Sequence, residues 1–212
     1  MDSRVNTPIL SPLQQQVLGA LFGDPWFHQH FYLTGGTALS AFYLQHRYSD
    51  DLDFFTHHAA IDSVPALIHS TTAHLGLSAV PLQRSPGFLR YQFNGELKVD
   101  FVADVAFRVG EPERIDALMV DSIKNIAVNK VCAILGRLDA KDYVDLFFIQ
   151  QDYQFDVFDL LTLGQQKDAG LDVFVWAALI AEVTKLSLLP RMIRTVSWAE
   201  LSRFYLQLRD DI

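Results

Sequence analysis

The sequence predicts an α/β protein in which a small mixed sheet comes first and a C-terminal helical region follows. Short segments with the composition of strands lie at 31–34, 51–55 and 87–103. After about residue 120 the apolar residues recur at helical spacing instead. We expect residues 1–110 to form an α/β core and residues 111–212 to form a helical region that shares one active-site cleft with it.

Composition restricts the class of protein. Half of the 212 residues are hydrophobic and 20% are charged, which is enough to fill a core. The net charge of −8 disfavours salt-driven binding to nucleic acid, although it does not exclude a local basic cleft. Cys132 is the single cysteine, so no internal disulfide can form. Because no signal peptide or membrane-spanning run is visible, we expect a cytoplasmic protein without membrane partners.

Local signals predict most of the individual elements. Ser11 and Pro12 begin a helix over 11–22, and Gly76 ends another over 64–76. The pair Asn94-Gly95 between two β-rich segments predicts a type I′ hairpin. Further helices are predicted at 37–47, 122–135 and 139–151 and within 155–212.

Three aspartates fall on predicted strands. Asp51 and Asp53 are two residues apart, so both side chains point to one face, and Asp100 lies on the polar face of the second hairpin arm. Carboxylates about 6–7 Å apart repel each other. Mg²⁺ would remove that repulsion, and a third carboxylate would complete a two-metal site. The alternative is that the two aspartates only form a turn or a solvated strand edge.

Two glycines precede the helix predicted at 37–47. Gly35, Gly36 and Thr37 follow the first strand, and backbone N–H groups at a helix start can bind phosphate. Glycine allows the phosphate to approach the backbone closely. The alternative is an ordinary tight turn in which Thr37 is the N-cap.

A lysine lies among the apolar residues of the helix at 122–135. Lys130 falls within the stripe that includes Ile126 and Ile134. A lysine that faces a core must find an anion or lose its proton, and a triphosphate could supply the anion. Alternatively, its ammonium group reaches past the stripe into water.

Charged residues also occupy the start of the next helix. Asp139 is predicted to be its N-cap, with Asp142 in the position of a capping box. Asp145 and Lys141 lie on nearby faces. These charges form either a solvated face or part of a cleft, and the apolar character of the remaining helix favours the cleft.

The order of strand, Gly-Gly-Thr, helix, Asp-x-Asp strand and third aspartate is similar to that of the DNA polymerase β-like nucleotidyltransferases. More closely, the chain resembles the AbiEii/AbiGii-type nucleotidyltransferases, the toxin components of abortive-infection toxin–antitoxin pairs. The resemblance lies in residues 33–55, 97–101 and 114–149. It departs at Lys141-Asp142, where family members usually carry Arg-Asp, and in a short helical tail.

The resemblance implies transfer of a nucleoside monophosphate from an NTP to a hydroxyl of tRNA or protein, with Mg²⁺ as cofactor and an antitoxin as possible partner. A small-molecule (antibiotic-type) nucleotidyltransferase and a non-catalytic nucleotide-binding protein are the alternatives. It also implies that Asp51, Asp53 and Asp100 bind metal, and that Asp100 could instead help deprotonate the acceptor. The implied catalytic set is Asp51, Asp53, Asp100, Lys130 and Asp142, and the implied nucleotide-binding set is Gly35, Gly36, Thr37, Arg47, Ser49, Lys130, Arg137, Lys141 and Asp145.

Overall fold

The computed structural model describes residues 8–57 and 61–212, and it divides into two compact units. The first, here the sheet unit, contains the described residues up to Phe42 together with Ser49–Ala106 and Glu111–Asp121. The second, here the helical unit, contains Tyr43–Tyr48, Phe107–Gly110 and Ser122–Ile212. The protein is therefore a mixed α/β protein, as predicted.

The elements up to residue 121 alternate between helices and strands. The helices are α1 (Pro12–Gly23), α2 (Pro25–His30), α3 (Gly35–Ala38), which continues as a π-helical segment (Leu39–Leu44), and α4 (Val64–Leu75), which follows a 3₁₀ turn (Ile61–Ser63). The strands are β1 (Tyr32–Thr34), β2 (Leu52–Thr56), β3 (Ala79–Ser85), β4 (Phe88–Phe93), β5 (Leu97–Ala103), β6 (Glu113–Ile115) and β7 (Leu118–Val120).

The seven strands form one mixed sheet in the order β3-β4-β5-β2-β1-β7-β6. The pairs β2–β5 and β1–β7 are parallel, and the other neighbours are antiparallel. Along β2, Leu52 and Phe54 are fully buried and alternate with the partly exposed Asp53. Phe54 stacks on Phe101 of β5 with ring centroids 5.5 Å apart. The predicted alternation is confirmed for Leu52, Asp53 and Phe54, because the apolar side chains fill the core and Asp53 lies on the opposite face, whereas Asp51 precedes the strand.

Local sequence signals explain several boundaries. The Ser11 hydroxyl accepts a hydrogen bond from Gln14 N at 3.2 Å, and both halves of a capping box are present at the start of α1. Gly76 adopts φ 64° and caps α4. Asn94 and Gly95 both have positive φ, at 47° and 73°, as a type I′ turn requires. The predicted hairpin is therefore confirmed.

The helical unit consists of five helices and two short segments from earlier in the chain. The helices are α5 (Ile123–Gly136), α6 (Ala140–Tyr153), α7 (Val157–Lys167), α8 (Val173–Ile180), which ends in a 3₁₀ turn (Ala181–Lys185), and α9 (Trp198–Asp211). Buried hydrogen bonds join them: Trp176 Nε1 donates to Val131 O at 3.0 Å, and the Tyr205 hydroxyl donates to Tyr143 O at 2.6 Å. Across residues 8–57 and 61–212, every helix is too short or too polar to cross a membrane.

Several features differ from the sequence prediction. Helix α2 and strands β3, β6 and β7 were not predicted, since β6 and β7 have only three residues each and β3 is exposed along most of its length. The helix predicted at 37–47 begins at Gly35, with Thr34 as its N-cap residue. Thr37 is therefore inside the helix, and its alternative role as N-cap is wrong. The helical run stops at Leu44 because Gln45 adopts φ 49°.

Candidate active site

Four polar residues lie side by side across neighbouring strands of the sheet unit. Asp53 of β2 lies opposite Asp100 of the parallel strand β5. Arg90 of β4 lies opposite Asp100, and Thr34 of β1 lies opposite Asp53. Residues directly opposite each other share a face of the sheet, and adjacent strands are about 4.8 Å apart. The sheet therefore brings the two predicted metal-binding aspartates of different strands together.

The glycine turn lies directly against one of these carboxylates. Gly35 adopts φ +70°, and a Cβ atom there would overlap Asp53 Oδ2 and lie 3.0 Å from Asp53 Cγ. Only glycine fits this position without strain. The Thr37 hydroxyl donates a hydrogen bond to the backbone oxygen of Asp51. The predicted glycine turn and the Asp51–Asp53 segment thus form one assembly within the sheet unit.

Asp100 is held by a residue that the sequence prediction missed. Arg90 donates from Nε to Asp100 Oδ1 at 2.7 Å and from Nη2 to Oδ2 at 2.6 Å. The Asp100 side chain is 13% exposed, whereas that of Arg90 is 37% exposed. The hydrogen bonds to Asp100, with the charges of Asp100, Asp51 and Asp53, raise the pKa of the Arg90 guanidinium. Arg90 therefore remains a cation beside the aspartates.

The register of the hairpin contains the signal that could have identified Arg90. A two-residue loop at Asn94-Gly95 would place Arg90 opposite Val99, on the apolar face. The observed ladder begins at Phe93↔Leu97 and leaves Glu96 outside it, which places Arg90 opposite Asp100. Because opposite residues share a face, the polar alternation of the two strands already required this register.

The donor chemistry of this assembly fits a hard divalent cation. Asp51, Asp53 and Asp100 offer only carboxylate oxygens, the ligands that Mg²⁺ prefers. Gly35 leaves open the space beside Asp53 that a Cβ would fill. Within the described ranges 8–57 and 61–212, His, Cys, Asp and Glu side chains form no ready-made group of three or more suited to a metal. The assignment of all three aspartates as metal ligands stays a prediction.

A second cluster of predicted residues is buried in the helical unit. The carboxylate of Asp145 accepts hydrogen bonds from Arg47 Nε at 2.6 Å and Nη2 at 2.8 Å. Its Oδ2 also lies 2.6 Å from Lys130 Nζ, and its Oδ1 lies 2.7 Å from His46 Nε2. Burial alone would raise the pKa of the Asp145 carboxyl, but these cations and hydrogen bonds hold it well below its ordinary value.

Asp142 extends this cluster by one helical turn. Its Oδ1 lies 2.8 Å from Lys130 Nζ, and its Oδ2 accepts a hydrogen bond from Arg137 Nε at 2.7 Å. Burial opposes ionisation of Asp142, but the charge of Lys130 and the hydrogen bonds from Arg137 and Lys130 outweigh it and lower the pKa. The pKa of Lys130 is raised, because the charges of Asp145 and Asp142 outweigh its burial. The cluster is therefore ionised.

These contacts settle three alternatives left by the sequence. The Lys130 side chain is only 9% exposed, so its ammonium group does not reach past the apolar stripe into water. Asp139 is the N-cap of α6, as predicted, and its carboxylate accepts from Lys141 N at 2.9 Å. The capping-box role for Asp142 is wrong, because its carboxylate binds Lys130 and Arg137. The solvated-face alternative is also wrong for Asp142 and Asp145, which are fully buried.

The nucleotide-binding roles expected for four residues are not tested by these contacts. Arg47 is buried, and besides Asp145 it binds the backbone oxygen of Tyr48 at 2.9 Å. The backbone oxygen of Ser49 accepts from Gln14 Nε2 at 2.9 Å. Lys141 is exposed on the first turn of α6. The expected contacts of Gly36, Arg47, Ser49 and Lys141 with nucleotide stay predictions.

The mixed sheet with its flanking helices is the polymerase β-like fold of solved nucleotidyltransferases. A family model described as "Nucleotidyl transferase AbiEii toxin, Type IV TA system" matches residues 16–207. Since this match spans most of the chain, the protein belongs to the AbiEii nucleotidyltransferase toxin family.

Three similar proteins illustrate the relationship. An uncharacterized protein from Aquifex aeolicus is 34% identical over 146 residues, which are 67% of this chain and 68% of that protein. A candidate nucleotidyltransferase from H. pylori has a TM-score of 0.62 at 20% identity, covering 95% of this chain and 97% of its own. The nucleotidyltransferase toxin MenT4 from Mycobacterium tuberculosis has a TM-score of 0.54 at 16% identity, covering 86% and 76% respectively. The two solved structures share the fold.

Proposed function

We propose that this protein is the Mg²⁺-dependent toxin of a toxin–antitoxin pair and transfers a nucleoside monophosphate from an NTP to a hydroxyl of tRNA or protein. The observation that carries the proposal is the packing of Gly35 against Asp53, with Asp100 opposite Asp53 on the next strand. A turn that can approach phosphate and a pair of carboxylates that can hold metal are thereby in one place. These are the two parts that nucleotidyl transfer requires.

In the proposed mechanism, the turn at Gly35, Gly36 and Thr37 positions the phosphates through backbone N–H groups. Asp51 and Asp53 would hold Mg²⁺; Asp100 would either accept the proton of the attacking hydroxyl or complete the ligand set, in which case that proton would pass to solvent water. When bound, Mg²⁺ supplies positive charge for the pentacoordinate transition state. The bond from the α-phosphorus to the bridging oxygen breaks, the bond to the acceptor oxygen forms, and pyrophosphate leaves.

Lys130 of the helical unit is proposed to contact the triphosphate. Lys130 is already paired with the carboxylates of Asp142 and Asp145, so contact between Lys130 and a triphosphate would require Nζ to exchange a carboxylate for a phosphate oxygen. Arg137 would stay with Asp142 during that exchange, because it binds both carboxylate oxygens. In this proposal Lys130 is therefore the cation of the buried cluster that would contact the substrate.

The experiment that tests the proposal uses each of the four α-³²P-labelled NTPs with Mg²⁺, in the presence of total tRNA or of extract protein. We expect label on one acceptor class with the native protein and none with Asp51→Ala. The Asp51→Ala protein should stay folded, since loss of one carboxylate relieves repulsion from Asp53. Asp62→Ala, which removes an exposed carboxylate from the same unit, is the matched control.

Label that persists with Asp51→Ala would disprove the metal-binding role of that residue. If neither acceptor is labelled, pyrophosphate release with small hydroxyl compounds from cell extract tests the antibiotic-type alternative. Absence of both label and pyrophosphate would contradict the proposal and favour the alternative that the protein binds nucleotide without catalysing transfer.

A further inference from the structure

Arg90 is a cation in direct contact with Asp100, one of the three predicted metal-binding aspartates. Both of its hydrogen bonds go to Asp100, which lies opposite Asp53 in the sheet. Its guanidinium carbon also lies 5.4 Å from the centre of the Phe88 ring. Arg90 thus binds both carboxylate oxygens of Asp100, the same oxygens that would bind a metal ion.

The Arg90 side chain is also partly open to solvent. It is 37% exposed, so an incoming anion can reach its guanidinium from solvent. The planar fork of arginine binds a phosphate as well as it binds a carboxylate. An arriving triphosphate therefore offers Arg90 a second partner of the same geometry.

Electrostatic repulsion and attraction favour the movement of Arg90 from Asp100 to the phosphates. A cation in contact with Asp100 repels a divalent cation approaching the same oxygens. A triphosphate brings several negative charges that attract Arg90. When Arg90 moves to the phosphates, the repulsion is removed and the Asp100 carboxylate is left without a counter-ion, so it can bind the divalent cation. Binding of nucleotide and binding of metal then favour each other, as linkage requires.

We propose that Arg90 is the resident counter-ion of Asp100 and moves to the phosphates of the incoming NTP, which frees Asp100 for the divalent cation. This inference rests on the proposed function, because it assumes that Asp53 and Asp100 bind metal. Arg90 is then a positioning residue that couples substrate binding to assembly of the metal site. The coupling keeps the three aspartates from collecting metal before nucleotide is present.

The first half of the test measures Mn²⁺ binding to the nucleotide-free protein by electron paramagnetic resonance. We expect Arg90→Gln to bind Mn²⁺ at least about fivefold more tightly than the native protein, because the competing charge is gone. The gain should vanish in the double variant Arg90→Gln/Asp100→Asn. Arg90→Lys, which keeps the charge, should bind Mn²⁺ as the native protein does.

The second half measures inorganic triphosphate binding by calorimetry in EDTA, so that no metal contributes. Arg90→Gln should bind triphosphate at least about fivefold more weakly than the native protein, because one phosphate contact is lost. Arg84→Gln is the matched control, as it removes an exposed arginine of the neighbouring strand that pairs with Asp62. Thermal unfolding of each variant shows whether it is folded.

Unchanged Mn²⁺ affinity or unchanged triphosphate affinity in Arg90→Gln would overturn the exchange. Asp53→Asn separates this failure from failure of the proposed function. If Asp53→Asn weakens Mn²⁺ binding while Arg90→Gln leaves it unaltered, the role of Arg90 alone is wrong. If neither Asp53→Asn nor Asp100→Asn affects Mn²⁺ binding, the metal site itself is wrong, and the inference falls with it.

Discussion

Arg47 and Asp145 form a two-pronged ion pair, 2.6 and 2.8 Å long, between residues that are 98 positions apart in the sequence. Both side chains are buried, at 2% and 0% exposure. Burying two charges is costly, but removing one of them leaves the other without compensation, which costs more. This pair should therefore respond strongly to single substitutions.

We predict that Asp145→Ala lowers the free energy of unfolding by about 3–5 kcal/mol, because it leaves Arg47 and Lys130 buried with too little negative charge. Urea unfolding followed by circular dichroism measures the change. Asp159→Ala removes an aspartate from the exposed pair with Lys124 and should cost less than about 1 kcal/mol. Equal effects of the two substitutions would contradict the importance of the buried cluster.

Lys130 offers a test of whether the buried charges depend on one another. Lys130→Met should destabilise the protein by about 3 kcal/mol, since Asp142 and Asp145 lose a shared cation. In a double-mutant cycle with Asp142→Asn, we expect a coupling of at least about 1 kcal/mol. A Lys130→Met protein of native stability, with only its NTP affinity reduced, would show that Lys130 acts on substrate and not on the fold.

His46 predicts a pH dependence of stability. Burial lowers its pKa despite the hydrogen bond and charge of Asp145. Within the described part of the chain, its Nδ1 is buried without a hydrogen-bond partner, so a proton there would have no acceptor. The unfolded chain takes up this proton near pH 6.5, and stability must therefore fall as the pH drops below about 6.5.

Urea unfolding at several values between pH 7.5 and pH 5 measures this effect. The slope due to His46 is at most about 1.4 kcal/mol per pH unit and should be absent in His46→Gln. His74→Gln, at an exposed position of α4, should keep the native slope. Parallel curves for the native protein and His46→Gln would show that His46 does not govern the dependence. Asp142 and Asp145 contribute in a separate range, below about pH 4, because their pKa values are lowered.

Gly35→Ala tests the contact between the glycine turn and Asp53. The new methyl group must displace the Asp53 carboxylate, and φ +70° is unfavourable for alanine. We expect nucleotidyl transfer to fall by about 100-fold or more, since displacements near 1 Å have effects of that size. Gly23→Ala places its methyl group in open space and serves as the control. Native activity in Gly35→Ala would rule out a strict requirement for this contact.

Local patterns predicted the parts of the fold that depend on neighbouring residues. The Ser11 cap, the Gly76 C-cap and the Asn94-Gly95 turn each rest on interactions within a few positions, so sequence alone was sufficient. The short strands β6 and β7 are different, because three residues carry too little alternation to be recognised. Their place in the sheet depends on pairing with β1, far away in the sequence.

The sequence predicted which residue types the candidate site contains, but not which side chains contact each other. The position of Lys130 in an apolar stripe showed that it needs an anion, yet not that Asp142 and Asp145 would supply it. Arg90 was missed because the Asn94-Gly95 turn was considered without the polar alternation of β4 and β5, which requires the register that places Arg90 opposite Asp100. Long-range partners such as Arg47 and Asp145 have no local pattern that identifies them.

The assignment of Tyr43–Tyr48 to the helical unit has a consequence for how the chain folds. During synthesis, Arg47 is made long before α6, so its buried counter-ion does not yet exist when residues 49–121 emerge. Closing a flexible loop of this length has an entropic cost that compaction of the intervening residues reduces. We therefore expect the sheet to form first and the helical unit to complete its core late. A fragment consisting of residues 111–212 alone would lack Arg47 and should not reach the native state.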